Sequence, residues 1–232
     1  MHILLTRPIE DSKDLIIKLK NLGHKVSHLP VINVVSEEYK DFSEDEFKGI
    51  IFTSSNAVKN LNLKNINKNI QCFCVGSATE KTARLNGFQN VYSADGNVSN
   101  LKEIILQNFN NKNEKLIYVS GEIITTSLDK DLISEGYNVV RIINYKVLPL
   151  ENLDLKFLEE LKTSIPEIVF IYSQNSAKSF LSIIKKYKLN DYWMNSNLMC
   201  IGEKSSMVLN EIKWKKIFLF NPGEEEYLLY KI

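Results

Sequence analysis

Six short segments of the chain combine hydroxyl, amide and glycine residues in a pattern that suits anion binding. They read Thr6-Arg7, Thr53-Ser54-Ser55-Asn56, Gly76-Ser77-Ala78-Thr79, Ser120-Gly121, Ser173-Gln174-Asn175-Ser176 and Gly202-Glu203-Lys204-Ser205. Each follows an apolar run, where a parallel α/β architecture puts the turn between a strand's carboxyl end and a helix N-terminus. Such N-termini carry unpaired N–H groups and a partial positive charge, so several turns acting together suit a ligand with many carboxylates or phosphates. Ser, Thr and Asn are also the preferred helix N-caps, and any one turn taken alone reads first as a cap. Six of them, repeated along the chain, favour an anion site. None is a Walker A loop or a GxGxxG fingerprint, so a nucleotide is not the natural ligand.

Other chemistry is sparse. Arg7 is one of three arginines and follows directly on the first strand, where it can clamp a carboxylate or form a structural ion pair. Lys204 reads as a solvated surface residue. Tyr145 sits in a β-rich connector, where its phenol can reach a cleft ligand or simply pack on a sheet. His2, His24 and His28 are the only histidines, with no HExxH pattern. A His-dependent triad is poorly supplied. Cys72, Cys74 and Cys200 lie in apolar segments, their number is odd and there is no CxxC pair. They read as reduced core residues rather than disulfide or zinc ligands.

The balance of 29 Lys+Arg against 28 Asp+Glu gives a net charge of +1, spread along the sequence. A nucleic-acid partner working through a phosphate-neutralising patch is not expected. The start lacks a signal-peptide pattern and no run reaches about 18 apolar residues, so a cytoplasmic protein with no membrane partner is expected. With 44% hydrophobic and 25% charged residues, the 232-residue chain can bury a core, and its length falls between one domain and two.

The elements that must position the turns alternate. Strands are expected at 2–6, 49–53, 71–75, 115–119, 167–172, 197–201 and 216–220, each followed by polar residues and a helical period. The first helix, Glu10 to Leu22, places Leu15, Ile16, Leu19 and Leu22 on one face, with Gly23 as its stop. IIFTSSNAVKNL (50–61) resembles VFIYSQNSAKSFL (169–181), with Ser54, Asn56 and Lys59 matching Ser173, Asn175 and Lys178. CVGSATEKT (74–82) likewise matches CIGEKSSMV (200–208), Gly76 to Gly202 and Thr79 to Ser205. Two similar α/β units follow. The strand–turn–helix of the N-terminus recurs at 115–139, so the first 34 residues or so belong with the C-terminal part. The expected domains are an outer one, 1–34 with 149–232, and an inserted one, 35–148. The Pro-interrupted β segments 25–37 and 138–151 would cross between them as a two-stranded hinge beside a ligand cleft.

Taken together, LLTRP near the start, IFTSSNAV, VGSAT followed by a helix and GF, YVSG, NYKVLP, YSQNSA and IGEKS resemble the uroporphyrinogen-III synthase family over essentially the whole chain. Their order and spacing carry the resemblance. It implies an α/β fold of two flavodoxin-like parallel domains joined by a two-stranded β-ladder hinge, one inserted in the other. It implies cyclisation of hydroxymethylbilane, a linear tetrapyrrole with eight carboxylates, with loss of water and inversion of ring D through a spiro intermediate. No cofactor or metal is implied, and the expected oligomeric state is a monomer. Tyr145 matches the family's connector tyrosine, the candidate for assisting hydroxyl departure. Ser205 stands where the family has Thr in an IGxxT pattern, keeping the hydroxyl and losing the methyl. Arg7, Ser54, Ser55, Asn56, Ser77, Thr79, Ser120, Gly121, Ser173, Ser176 and Ser205 are implied as substrate contacts, many through backbone N–H. The rival reading is a non-catalytic two-domain binding protein for a polycarboxylate or other polyanion. A phosphosugar enzyme is weaker, since no acid/base carboxylate pair or His falls on the strand ends.

Overall fold

A computed structural model describes every residue except 41, 43–45, 96, 222–223 and 230–232. The first elements are β1 (His2–Leu5), α1 (Ile9–Asn21), β2 (Lys25–His28), β3 (Ile32–Ser36), β4 (Gly49–Phe52), α2 (Ser55–Lys59), β5 (Gln71–Val75), α3 (Ser77–Leu85), β6 (Asn90–Ala94) and α4 (Val98–Asn108). They continue with β7 (Lys115–Gly121), α5 (Leu128–Ser134), β8 (Asn138–Pro149), α6 (Leu155–Thr163), β9 (Ile168–Ile171), α7 (Gln174–Lys186), β10 (Asn197–Ile201), α8 (Glu203–Val208), β11 (Lys216–Phe220) and α9 (Glu225–Leu228). The chain divides into two compact units, Met1–Asn33 with Leu148–Ile232, and Val34–Val147.

The first unit holds a five-stranded sheet in the order β2-β1-β9-β10-β11, parallel throughout. Numbered within the unit, this is 2-1-3-4-5, the flavodoxin-like order. The second holds a six-stranded sheet in the order β3-β8-β7-β4-β5-β6, whose run from β8 to β6 is parallel. That run is the same 2-1-3-4-5, with β7 and β8 in the places of β1 and β2. The second unit is therefore a circular permutation of the first, carrying last the strand–helix–strand that the first carries at its start.

Helices on both faces explain why the central strands are continuous apolar runs. All four residues of β1, β4 and β9 are buried. In β9, Val169 and Ile171 join one core cluster with Leu4 and Phe180, while Ile168 and Phe170 join another with Leu5 and Leu19. In β4, Ile50 and Phe52 face one cluster and Ile51 the other. In α1, Leu15 and Leu19 are buried, Glu10 and Asp11 stand in the first turn and Lys18 and Lys20 in the last, as the helix dipole favours.

Three readings need adjustment. Leu22 is not part of the buried face of α1: the helix ends at Asn21, Leu22 is its C-cap and is 52% exposed. Lys25–His28, read as connector, is a sheet strand in parallel register with β1, while Ile32–Ser36 of that segment lies beside β8. The edge strand β6 was not foreseen, because its NVYSA run is half-buried and lacks the apolar density of the central strands.

Candidate functional site

Because the five strands of each parallel run point the same way, their carboxyl ends share one edge of the sheet, where α/β proteins bind ligands. The six turns are divided equally. Arg7, Ser173–Ser176 and Gly202–Ser205 follow β1, β9 and β10 in the first unit. Ser54–Asn56, Gly76–Thr79 and Ser120–Gly121 belong to β4, β5 and β7 in the second.

The hydroxyls have different tasks. Ser54 and Ser173 are N-caps of α2 and α7: Ser54 Oγ accepts from the Asn56 N–H at 3.2 Å and Ser173 Oγ from the Ser176 N–H at 3.1 Å. Ser176 is buried and shares a 2.9 Å hydroxyl–hydroxyl bond with Ser173. The cap reading thus holds for this pair, and what these turns offer a ligand is backbone N–H groups of the first helical turn. Ser55 and Asn56 are half-buried in that turn, and Ser77 is exposed. Thr79 and Ser205 occupy the same place in their units, third residue of α3 and of α8, and both are buried. The glycines before them match too, Gly76 at φ 78° and ψ 151° and Gly202 at φ 72° and ψ 159°. A Cβ at either would meet nothing within 4 Å, so the left-handed backbone, not space, requires glycine there.

Gly121 needs glycine for the opposite reason. The β7–β8 register pairs Ser120 with Ile143 and Gly121 with Tyr145, leaving Asn144 as the extra residue of a β-bulge. The bulge brings the Tyr145 ring over Gly121, where a Cβ would lie 2.8 Å from Cζ, 2.9 Å from Cε2 and 3.1 Å from Oη. Asn144 is fully buried and donates through Nδ2 to the Ala57 carbonyl at 2.8 Å, tying the bulge to α2. The Glu122 N–H donates to the Tyr145 carbonyl at 2.9 Å. Tyr145 is 8% exposed and packs with Phe52, Ile117 and Val119.

Arg141 stitches this turn. Its Nε donates to Ser120 Oγ at 2.8 Å, and its Nη2 to the carbonyls of Gly121 and Glu122 at 2.8 and 2.9 Å. In the first unit His28 stands at the equivalent position: Leu5 pairs with Phe170 and His28, as Tyr118 pairs with Ile51 and Arg141. His28 Nε2 donates to the Arg7 carbonyl at 2.8 Å. In each unit, then, a cationic or imidazole side chain from the second strand fixes the turn after the first. Arg141, Asn144 and Tyr172 were missed in the sequence; the scarcity of arginine was the one available signal for Arg141.

Arg7 lies with its guanidinium carbon 4.4 Å from the centroid of the Tyr172 ring, and its Nη1 is 3.7 Å from Glu225 Oε1. At 3.7 Å this contact is an ion pair but too long for a hydrogen bond. Burial pushes the phenols of Tyr118 and Tyr172 up, so both stay protonated. Cys72, Cys74 and Cys200 are buried free thiols, and burial pushes that of Cys200 up to about 12. Among the described residues no three His, Cys, Asp or Glu side chains gather as metal ligands, and no helix is long and apolar enough to cross a membrane.

The family described as uroporphyrinogen-III synthase HemD matches residues 13–219. Among solved structures, the uroporphyrinogen-III synthetase of Helicobacter pylori 26695 is similar with a TM-score of 0.64 at 21% identity, over 100% of this chain and 99% of that one. A mutant uroporphyrinogen III synthase of the extremely thermophilic bacterium Thermus thermophilus has a TM-score of 0.59 at 12% identity, over 100% and 98%. At these identities the likeness concerns the fold. A comparison with curated proteins returned no match.

Proposed function

The chain belongs to the uroporphyrinogen-III synthase family, and we propose that it performs that cyclisation with Tyr145 as the group that assists departure of the substrate's hydroxyl. Family membership sets aside the non-catalytic binding protein. The substrate in this reading is hydroxymethylbilane. Its terminal hydroxymethyl group loses hydroxide, which a proton converts to water, leaving an azafulvene-type cation. The substituted α-carbon of ring D attacks that cation to give a spiro intermediate. The bond from that carbon to the bridge from ring C then breaks, and the free α-carbon of ring D closes on the bridge and loses its proton, which inverts the ring and balances the proton spent on water. The pyrroles supply the electron push.

Two tasks remain for the protein. One is to fold a flexible chain so that the uninverted closure is slower, which is catalysis by positioning. The turns on both sheet edges support this: backbone N–H groups at the starts of α2, α3, α7 and α8, with Arg7, suit a ligand rich in carboxylates. The other is a proton donor. The observation that carries it is the Tyr145 phenol held over Gly121, its ring fixed in the core and its carbonyl tied to Glu122. A near-neutral net charge of +1 fits binding through oriented N–H groups rather than excess charge. No cofactor enters this scheme, and the reading extends to a cytoplasmic, monomeric enzyme. Incubation with freshly made hydroxymethylbilane, followed by oxidation and separation of isomers, tests the activity. Mainly type III product is expected, and a type I content equal to the enzyme-free control overturns it.

A further inference from the structure

We propose that Arg7 and Tyr172 form a carboxylate subsite for the substrate, and that Glu225 is an internal competitor for it; this rests on the cyclisation reading above. Arg7 follows β1 and Tyr172 follows β9, neighbouring strands at the point where the first unit's strand order turns back, the favoured ligand position in such sheets. The Arg7 guanidinium carbon lies over the Tyr172 ring at 4.4 Å, a cation–π contact that holds the fork against the phenol.

The cluster is under-satisfied. Arg7 Nε and the Tyr172 hydroxyl are enclosed, and among the described residues neither has a hydrogen-bond partner. Leaving an enclosed donor unpaired is costly, and here two donors share one stacked pair. Glu225, 7% exposed, is the carboxylate that faces them, yet its 3.7 Å approach to Nη1 leaves Nε and the phenol unserved. A substrate carboxylate that took both a fork N–H pair and the phenol O–H would make the charge-assisted bonds that Glu225 does not. Burial keeps the phenol protonated and therefore a donor. Glu225 stands on α9, a single turn of four residues, and one turn has little helical stability of its own to lose on moving aside.

A purely structural ion pair and a competitor predict opposite signs. In the full-length chain, Glu225→Gln is expected to lower the KM for hydroxymethylbilane, and the Kd for uroporphyrin read by fluorescence titration, each about five-fold, since a site filled four-fifths of the time weakens apparent affinity by that factor. Tyr172→Phe is expected to weaken uroporphyrin binding about three-fold. Thermal melts check that both variants fold. Unchanged or weaker uroporphyrin binding in Glu225→Gln overturns the proposal, as does unchanged binding in Tyr172→Phe. Cyclisation by the wild-type chain reports separately on the parent reading, and the uroporphyrin titration tests the subsite whether or not turnover is found.

Discussion

Gly121 and Tyr145 are matched across the β7–β8 ladder so closely that a single methyl group at position 121 would fall 2.8 Å from the phenol's Cζ. The strand that carries Tyr145 thus depends on the absence of a side chain in its neighbour. Gly121→Ala is expected to shift the ring or the strand, costing about 1–3 kcal/mol as overpacking does. Turnover should fall about ten-fold or more, and urea unfolding with the isomer assay checks both effects.

Tyr145→Phe keeps the ring and its packing and removes only the hydroxyl. Turnover is expected to fall about 100-fold, the lower end of what one general acid contributes, with the melting temperature unchanged. Unaltered turnover would remove the proton-donor role and leave the positioning role standing.

Ser54 and Ser173 cap α2 and α7 with their own hydroxyls. Changing either to Ala should cost about 1 kcal/mol in urea unfolding, and to Gly only a few tenths. If capping is their task, the Gly variants keep the wild-type KM. A KM raised in the Gly variants would show that the hydroxyl itself touches substrate.

Arg141 serves three acceptors at 2.8, 2.8 and 2.9 Å from two nitrogens, Nε and Nη2, spaced along a rigid planar fork, a spread of donors that the single nitrogen of an ammonium does not match. Arg141→Lys is therefore not conservative. About 2 kcal/mol of stability should be lost, with a raised KM from a looser Ser120–Gly121 turn. Denaturant midpoints and a kcat-against-KM split distinguish this from a general unfolding effect.

His2 is buried, with Nε2 2.8 Å from Ser27 Oγ and Nδ1 3.2 Å from Ser164 Oγ, and burial holds its pKa below the usual value. The folded chain then keeps it neutral while the unfolded chain takes a proton near pH 6.5. The unfolded state binds more protons below that point, so this contribution is present above about pH 6.5 and is lost as pH falls through the depressed folded pKa. Urea midpoints should drop as pH falls below about 6.5, and His2→Gln should flatten that slope.

Much of this was legible along the chain. Runs such as QCFCV and NLMCI are strands over the residues expected, because strands covered on both faces must be apolar throughout. The repeated turns were visible because a helix after a strand needs a capping residue whatever the ligand. By itself, then, the sequence determined the parallel α/β elements, the hydroxyl-rich turns and the family. Only the tertiary structure decided which hydroxyls are spent on caps, why residue 121 is glycine, that Asn144 bulges, and that Arg141 and Glu225 reach turns distant in the chain. Apolar periods and caps are properties of neighbours in sequence, which a linear reading detects. The partners of Tyr145, Arg7 and Ser120 come from elements distant in the chain, set by register and burial that no local pattern encodes.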